Sequence, residues 1–302
     1  MGGLGDGGWL MRYGEHVFTE SEIEAIRRLA ADSQQCPTRQ ALARAVCTLL
    51  GWKKWDGGLK IMSAKMALLR MERQGLITLP VPRHGNNNGR AIPAITEVTD
   101  PGPIWTGFLH QLPGLRLTLV RTPSASRLWN EYIARYHYLG YTPMAGAQLR
   151  YFIESEGQIL GAFGVNSAAW KVAPRDDWIG WTPSQRIRYL PRVVNNARFL
   201  ILPWIRIRYL ASSALGLLTR QLPHDWKERY GYRPVLMETF VERDRFAGTS
   251  YRAANWISLG NTQGRGKTDR YHQHAKPIKT IWVYPLQKNF RAVLTASLPD
   301  DE

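Results

Sequence analysis

A stretch of chain breakers cuts this sequence into two unequal parts. Between residues 80 and 103 stand five prolines and the run His84-Gly-Asn-Asn-Asn-Gly89, with few hydrophobes. Proline removes a backbone donor and fixes φ, while Gly and Asn favour turns, so neither a helix nor a strand ladder continues through it. Residues 84–115 therefore read as a linker between a module over 19–83 and a domain over 116–290. Residues 1–18 read as a flexible tail and 291–302 as an acidic one. With 302 residues, 44% of them hydrophobic, both parts have the material for a core.

Before the linker the hydrophobic period is helical. Thr19 is placed to cap a helix from Glu20 to Ala31, with Ile23, Ile26 and Ala30 inward and Arg27 and Arg28 near its end. A second helix runs from Thr38 to Leu50, with Leu42, Val46, Leu49 and Leu50 inward, and Gly51 ends it. A third runs from Ile61 to Gln74, with Met62, Met66 and Leu69 inward. Leu76 to Leu79 then reads as a strand. Three short helices closed by a strand suggest a winged-helix or helix-turn-helix module. Its third helix would present Lys60, Lys65, Arg70 and Arg73 to DNA.

After the linker, strands alternate with helices. Helices are expected over Ser126–Tyr138, Ile205–Gln221 and Tyr251–Leu259. A hairpin is expected over Gln148–Glu154 and Gln158–Val165, and strands over Asn196–Leu202, Val235–Val241 and Thr280–Tyr284. The fold class is thus α+β, with a mixed β-sheet domain whose order resembles the N-acetyltransferase-like (GNAT-like) fold.

The net charge of +16 is unevenly spread. Residues 184–290 carry 19 basic against 6 acidic side chains, whereas 91–183 carry seven of each. A field that concentrated points to a polyanion, nucleic acid above all. No apolar run is long enough to span a bilayer, and no secretory signal is visible at the start. The two cysteines, Cys36 and Cys47, form no metal or disulfide pattern. A cytoplasmic protein with no membrane partner is expected.

Several blocks carry a family resemblance: Tyr136-His-Tyr-Leu-Gly140, Asn195-Asn-Ala-Arg-Phe-Leu-Ile-Leu-Pro203, Glu238-Thr-Phe-Val241, Gly248-Thr-Ser-Tyr-Arg-Ala-Ala-Asn-Trp256 and Gly264-Arg-Gly-Lys267. The sequence resembles the DruA family of the Druantia anti-phage systems, which has transposase-associated relatives. Ser250 stands where the family pattern has Cys, and Glu242 where it has Asp. The resemblance implies a component of bacterial defence, or of a related mobile element, working with other defence proteins.

The chemistry is argued from residues. The basic loop with Arg265, Lys267 and Arg270, together with Arg198, Arg252, Arg206 and Arg208, offers contacts to a phosphate backbone. Glu238, His137, Tyr251 and Asn255 are candidates for an active pocket. Glu238 and Glu242, four apart on one strand, share a face, and paired carboxylates can hold magnesium. Trp256 reads as core. Coenzyme A is not expected, because the turn Leu202-Pro-Trp-Ile-Arg-Ile-Arg208 lacks the glycines that let backbone amides approach phosphates. Asn261–Thr268 is rejected as a nucleotide-hydrolysing loop, since its glycine spacing is wrong and it follows a helix. The expected function is nucleic-acid binding, DNA first, without a cofactor. The alternatives are a metal-dependent nuclease, an atypical acyl or aminoacyl transferase, and a scaffold whose basic face docks on an acidic protein.

Overall fold

The computed structural model describes residues 11–13, 16–53, 57–82, 93–264 and 277–297. The chain forms two compact units, Met1–Asn88 and Gly89–Glu302.

The first unit opens on an antiparallel hairpin, β1 (Met11–Tyr13) and β2 (His16–Phe18), followed by α1 (Glu20–Ala31), α2 (Arg39–Leu49) and α3 (Ile61–Arg73). Thr19 and Glu22 form a reciprocal capping box on α1, and Thr38 accepts from the Ala41 amide on α2. Met11 and Phe18 are buried with Ile23, Ile26, Leu42, Val46 and Met71, so these two residues of the expected tail belong to the core. The buried stripe of α3 is Ala64, Ala67, Leu68 and Met71, and Met62 and Met66 are exposed instead of inward. A stripe at i, i+3, i+4 and i+7 with two alanines lets α2 approach closely, which the larger methionines would prevent. Leu76–Leu79 buries Ile77 and Leu79 but joins no strand among the described residues. The hairpin therefore precedes the helices, where a strand had been expected after them.

The second unit is a seven-stranded mixed sheet: β4 (Arg116–Leu119), β5 (Gln148–Ser155), β6 (Gln158–Ser167), β7 (Val193–Ile201), β9 (Leu236–Glu242), β10 (Ile257–Asn261) and β11 (Lys279–Pro285). Their spatial order is β10-β11-β9-β7-β6-β5-β4, all antiparallel except β7 with β9. The β5–β6 hairpin turns at Glu156 and Gly157, both with positive φ, as a two-residue turn of that hand requires. A second, two-stranded parallel sheet pairs β3 (Trp105–Phe108) with β8 (Ile205–Arg208). The helices are α4 (Pro123–Tyr136), α5 (Ala173–Ile179), α6 (Pro183–Tyr189), α7 (Leu210–Tyr230), α8 (Thr249–Ala253) and α9 (Phe290–Leu294). Leu210, Ala214, Leu215, Leu218, Leu222 and Trp226 of α7 pack into the main core with Trp129, Phe163 and Met237.

The expected α+β class with a mixed sheet holds, and four boundaries shift. The helix expected over Ile205–Gln221 divides at Tyr209, whose φ is +67°, because Ile205 and Ile207 are buried and Arg206 and Arg208 exposed, a period of two. The helix expected over Tyr251–Leu259 stops at Ala253 and gives way to β10. Residues 93–115 are not a free linker. Thr96 and Thr99 both donate to the buried carboxylate of Glu131 on α4, and Arg135 pairs with Asp100 at 2.6 Å. Phe290 and Leu294 are buried beside Ile179 and Trp181, so the start of the expected acidic tail is helix α9.

Candidate functional site: a cationic cavity between parallel strands

The parallel ladder of β7 and β9 covers only Val193–Asn195 against Leu236–Glu238. Both strands run on without pairing to each other, and β7 carries one extra residue, Ala197, against β6. A cavity of about 530 Å³ lies there, walled by β7, β9, the end of α4, and residues 245–251. Ligands of sheets with parallel strands commonly sit beyond the strands' carboxyl ends, where the ladder parts.

Among the described residues, the lining holds Arg198, Arg245 and Lys279 and no Asp or Glu. Glu242, at the end of β9, acts on Tyr138 from outside the lining. Arg198 donates to the Ala197 carbonyl and to Thr142 Oγ1, each at 2.8 Å, while its buried Nε has no protein partner. Asn196, 3% exposed, donates to the Tyr251 hydroxyl at 3.1 Å and leaves its own Oδ1 unpartnered. Asn195 donates to Asn166 Oδ1 at 3.2 Å, and its Oδ1 is likewise without a partner. Burial raises the Tyr251 phenol well above its usual range, so it stays protonated. The aromatic wall comes from Tyr251 and Phe199. At the mouth, Tyr138 meets Phe246 edge-on at 5.2 Å, and the Arg245 guanidinium lies over the Tyr138 ring.

His137, the C-terminal cap residue of α4, accepts the Leu139 amide at Nδ1, which places the remaining proton on Nε2. Burial, then the charges of Arg198 and Lys279, push its pKa down to about 4. The imidazole is therefore neutral at pH 7, and it offers the cavity a hydrogen-bond donor rather than a base. A histidine depressed from 6.5 contributes stability in full above pH 6.5, and that contribution is lost as pH falls towards 4. Between those limits the wild type should lose about 3 kcal/mol more stability than His137→Gln, measured by urea unfolding at each pH. Equal pH profiles would contradict this placement.

His137, Arg198 and Tyr251 thus come together in the cavity as expected candidates, and the others do not. Glu238 is fully buried, with Oε2 2.7 Å from Arg175 Nη1 and Oε1 accepting the Ala169 amide at 2.8 Å. Burial raises its pKa and Arg175 opposes that. A carboxylate so occupied is not a magnesium ligand, which corrects the paired reading with Glu242. Among the described residues, the grouping of three potential metal ligands lies elsewhere, at His224, Asp225 and Glu228 of α7. Arg206 and Arg208 are exposed on β8 and Arg252 on α8, all outside the cavity. Lys60, Lys65, Arg70 and Arg73 belong to the first unit. Arg265, Lys267 and Arg270 lie outside the described residues.

Asn255 lies outside the cavity and has a backbone role of its own. Its φ is +60°, its amide donates to the Arg252 carbonyl and the Trp256 amide donates to the Tyr251 carbonyl, the two bonds that close a Schellman turn. The Trp256 ring packs edge-on to Tyr251 at 5.1 Å, in the hydrophobic contact that accompanies such a turn. Asn255→Gly should therefore leave stability within about 0.5 kcal/mol, and Asn255→Val should cost about 1–2 kcal/mol, read from the denaturant midpoint. A collapse of function with unchanged stability in Asn255→Gly would restore a catalytic role.

Sequence reasoning had not assigned Asn195, Asn196, Tyr138, Arg245 or Phe246 to a site. The visible signal was a pair of adjacent amides in a strand apolar but for Arg198.

The profile of the family described as Druantia protein DruA matches residues 70–277, more than half of the chain. The chain belongs to the DruA family. A DruA-family protein is a component of anti-phage defence. No curated protein matches the sequence. Similar solved structures include FeeM, an N-acyl amino acid synthase from uncultured soil microbes, 10% identical over 61% of this chain and 95% of that one, with a TM-score of 0.35. A Bacillus subtilis acetyltransferase in complex with CoA is 9% identical over 57% and 99%, at 0.32. RimL, a ribosomal L7/L12 alpha-N-protein acetyltransferase, is 9% identical over 46% and 70%, at 0.29. At these scores the likeness carries no argument about what this DruA-family chain does. Among the described residues no helix is long and apolar enough to cross a membrane.

Proposed function

We propose that the chain is the nucleic-acid-binding component of its defence system, with DNA as the ligand, and that the cavity of the sheet unit is a principal contact. The carrying observation is the lining itself: among the described residues, Arg198, Arg245 and Lys279 converge with no carboxylate in the lining, beside the exposed ring of Phe246 and the half-buried ring of Tyr138. Cations draw the phosphate backbone, and aromatic faces accept unpaired bases. The basic excess over residues 184–290 extends the same field beyond the cavity. Other defence proteins would supply the remaining steps, and nothing in this reading calls on magnesium or coenzyme A.

Fluorescence anisotropy with duplex DNA, single-stranded DNA and RNA across a salt series tests it. For duplex, the slope of log affinity against log salt is about −0.9 per neutralised phosphate. Arg245→Ala combined with Lys279→Ala should make that slope shallower by about two units. An unchanged slope in the double variant would reject the cavity as the contact.

A further inference from the structure

The short parallel ribbon of β3 and β8 turns a second cationic face to solvent. Thr106 and Phe108 of β3 stand in register with Arg206 and Arg208 of β8, and all four are exposed, while Trp105, Ile205 and Ile207 pack against the core. Neither arginine pairs with a carboxylate among the described residues, and the outward positions of the ribbon hold none. The Arg208 guanidinium lies over the Phe108 ring, 5.5 Å from its centre, and His110 stacks on that ring at 5.7 Å, so one of the two cations is held in place. Residues two apart on a strand stand on one side of it, about 6.6 Å apart, which suits successive phosphates of an extended strand.

Immediately after Arg208 the chain turns into α7 through Tyr209, whose φ is +67°. For a bulky side chain that region is an outlier and costs free energy. Glycine would make the same turn without that cost, so the turn alone does not account for a tyrosine. Packing does not account for it either. The ring is 68% exposed, and no other ring or cation lies against it among the described residues. Strain held where the fold gains nothing from the side chain points to a use for that side chain. Ala211, two positions on, lines the cavity, so Tyr209 links the ribbon to the cavity wall.

We propose that this face is a track for single-stranded DNA, on which Arg206 and Arg208 hold two successive phosphates and the Tyr209 ring stacks on one unpaired base as the strand passes to the cavity. This rests on the nucleic-acid reading above and specifies the form of the DNA and its path. A duplex keeps its bases inside and leaves the Tyr209 ring nothing to stack on. The preference for a single strand therefore comes from stacking, and it is tolerant of sequence.

The test is anisotropy of the full chain with labelled oligothymidylate and with a labelled duplex, across a salt series. For single strands the slope of log affinity against log salt is about −0.7 per phosphate, so Arg206→Ala with Arg208→Ala should make it shallower by about 1.4 units. Tyr209→Gly should bind oligothymidylate about tenfold more weakly and leave duplex affinity unchanged. Its urea midpoint should not fall, because glycine relieves the backbone. Tyr209→Phe, which keeps a ring, should bind as the wild type does. Unchanged oligothymidylate binding in the ribbon variants, with binding lost in Arg245→Ala with Lys279→Ala, would overturn this inference and leave the nucleic-acid reading intact. Equal losses on single strand and duplex in Tyr209→Gly would overturn the single-strand assignment. A lower midpoint for Tyr209→Gly would assign the ring to packing and overturn its role. No binding of either probe by the wild type at low salt would overturn both readings.

Discussion

Replacing Glu238 by Gln should cost about 3–5 kcal/mol of stability in the sheet unit, seen as a large drop in its denaturation midpoint. Glu238 and Arg175 both have fully buried side chains, 2.7 Å apart. Arg175 also holds Asp176 Oδ1 through Nε and Nη2, at 2.9 and 2.7 Å. Removing the Glu238 charge leaves a buried guanidinium compensated by Asp176 alone. The pair ties β9 to α5 beside the cavity, so the loss would be structural. Replacing both partners at once, Arg175→Met with Glu238→Leu, should recover part of the loss, because two apolar side chains carry no uncompensated charge. A stable Glu238→Gln protein that had lost metal-dependent cleavage would contradict this account and return Glu238 to catalysis.

Gly248→Ala should be nearly as damaging, at about 2–4 kcal/mol. Gly248 has φ +69°, and an L side chain in that region costs about 1–2 kcal/mol. A Cβ there would also lie 2.7 Å from Trp282 Cζ2 and 2.9 Å from Cε2 and Nε1, and overpacking of that kind adds about 1–3 kcal/mol. Trp282 is 4% exposed and stacked on Tyr251, so the indole has little room to yield. Gly231→Ala separates the two contributions. Its φ of +83° carries the backbone cost, yet nothing lies within 4 Å of the added carbon. Equal losses in the two variants, measured by urea unfolding, would contradict the packing of Gly248 against Trp282. Because residues 248–251 also wall the cavity, Gly248→Ala should weaken nucleic-acid binding, and Gly231→Ala should not.

Elements with one strong local cause were legible in the sequence. Thr19 and Thr38 marked their helix starts through side-chain oxygens that satisfy exposed amides, and the β5–β6 hairpin followed from two aromatic or β-branched arms around Glu156-Gly157. Elements decided by tertiary contact were not. The β8 pattern Ile205-Arg-Ile-Arg208 alternates, but the leucine-rich run after it drew the helix too far forward. The prolines near 93–103 looked like linker because nothing local shows that Thr96 and Thr99 satisfy Glu131 some thirty residues on. The site was half legible. His137, Arg198 and Tyr251 stood in conspicuous blocks and do line the cavity. Glu238 stood in one too, yet its partner Arg175 lies 63 positions away, and no spacing rule reaches that far. Asn196 reads as an ordinary strand polar residue until the ladder between β7 and β9 is seen to stop beside it.

The most direct measurement is ultraviolet crosslinking of the full chain to a single strand and a bulged duplex carrying 5-bromodeoxyuridine, with adducts located by peptide mass spectrometry. Adducts at Tyr138 and Phe246, reduced by high salt and by Arg245→Ala with Lys279→Ala, are the predicted result. Adducts confined to Lys65, Arg70 and Arg73 of α3, or to surfaces away from the cavity, would contradict the claim that the parted strands β7 and β9 hold the nucleic acid.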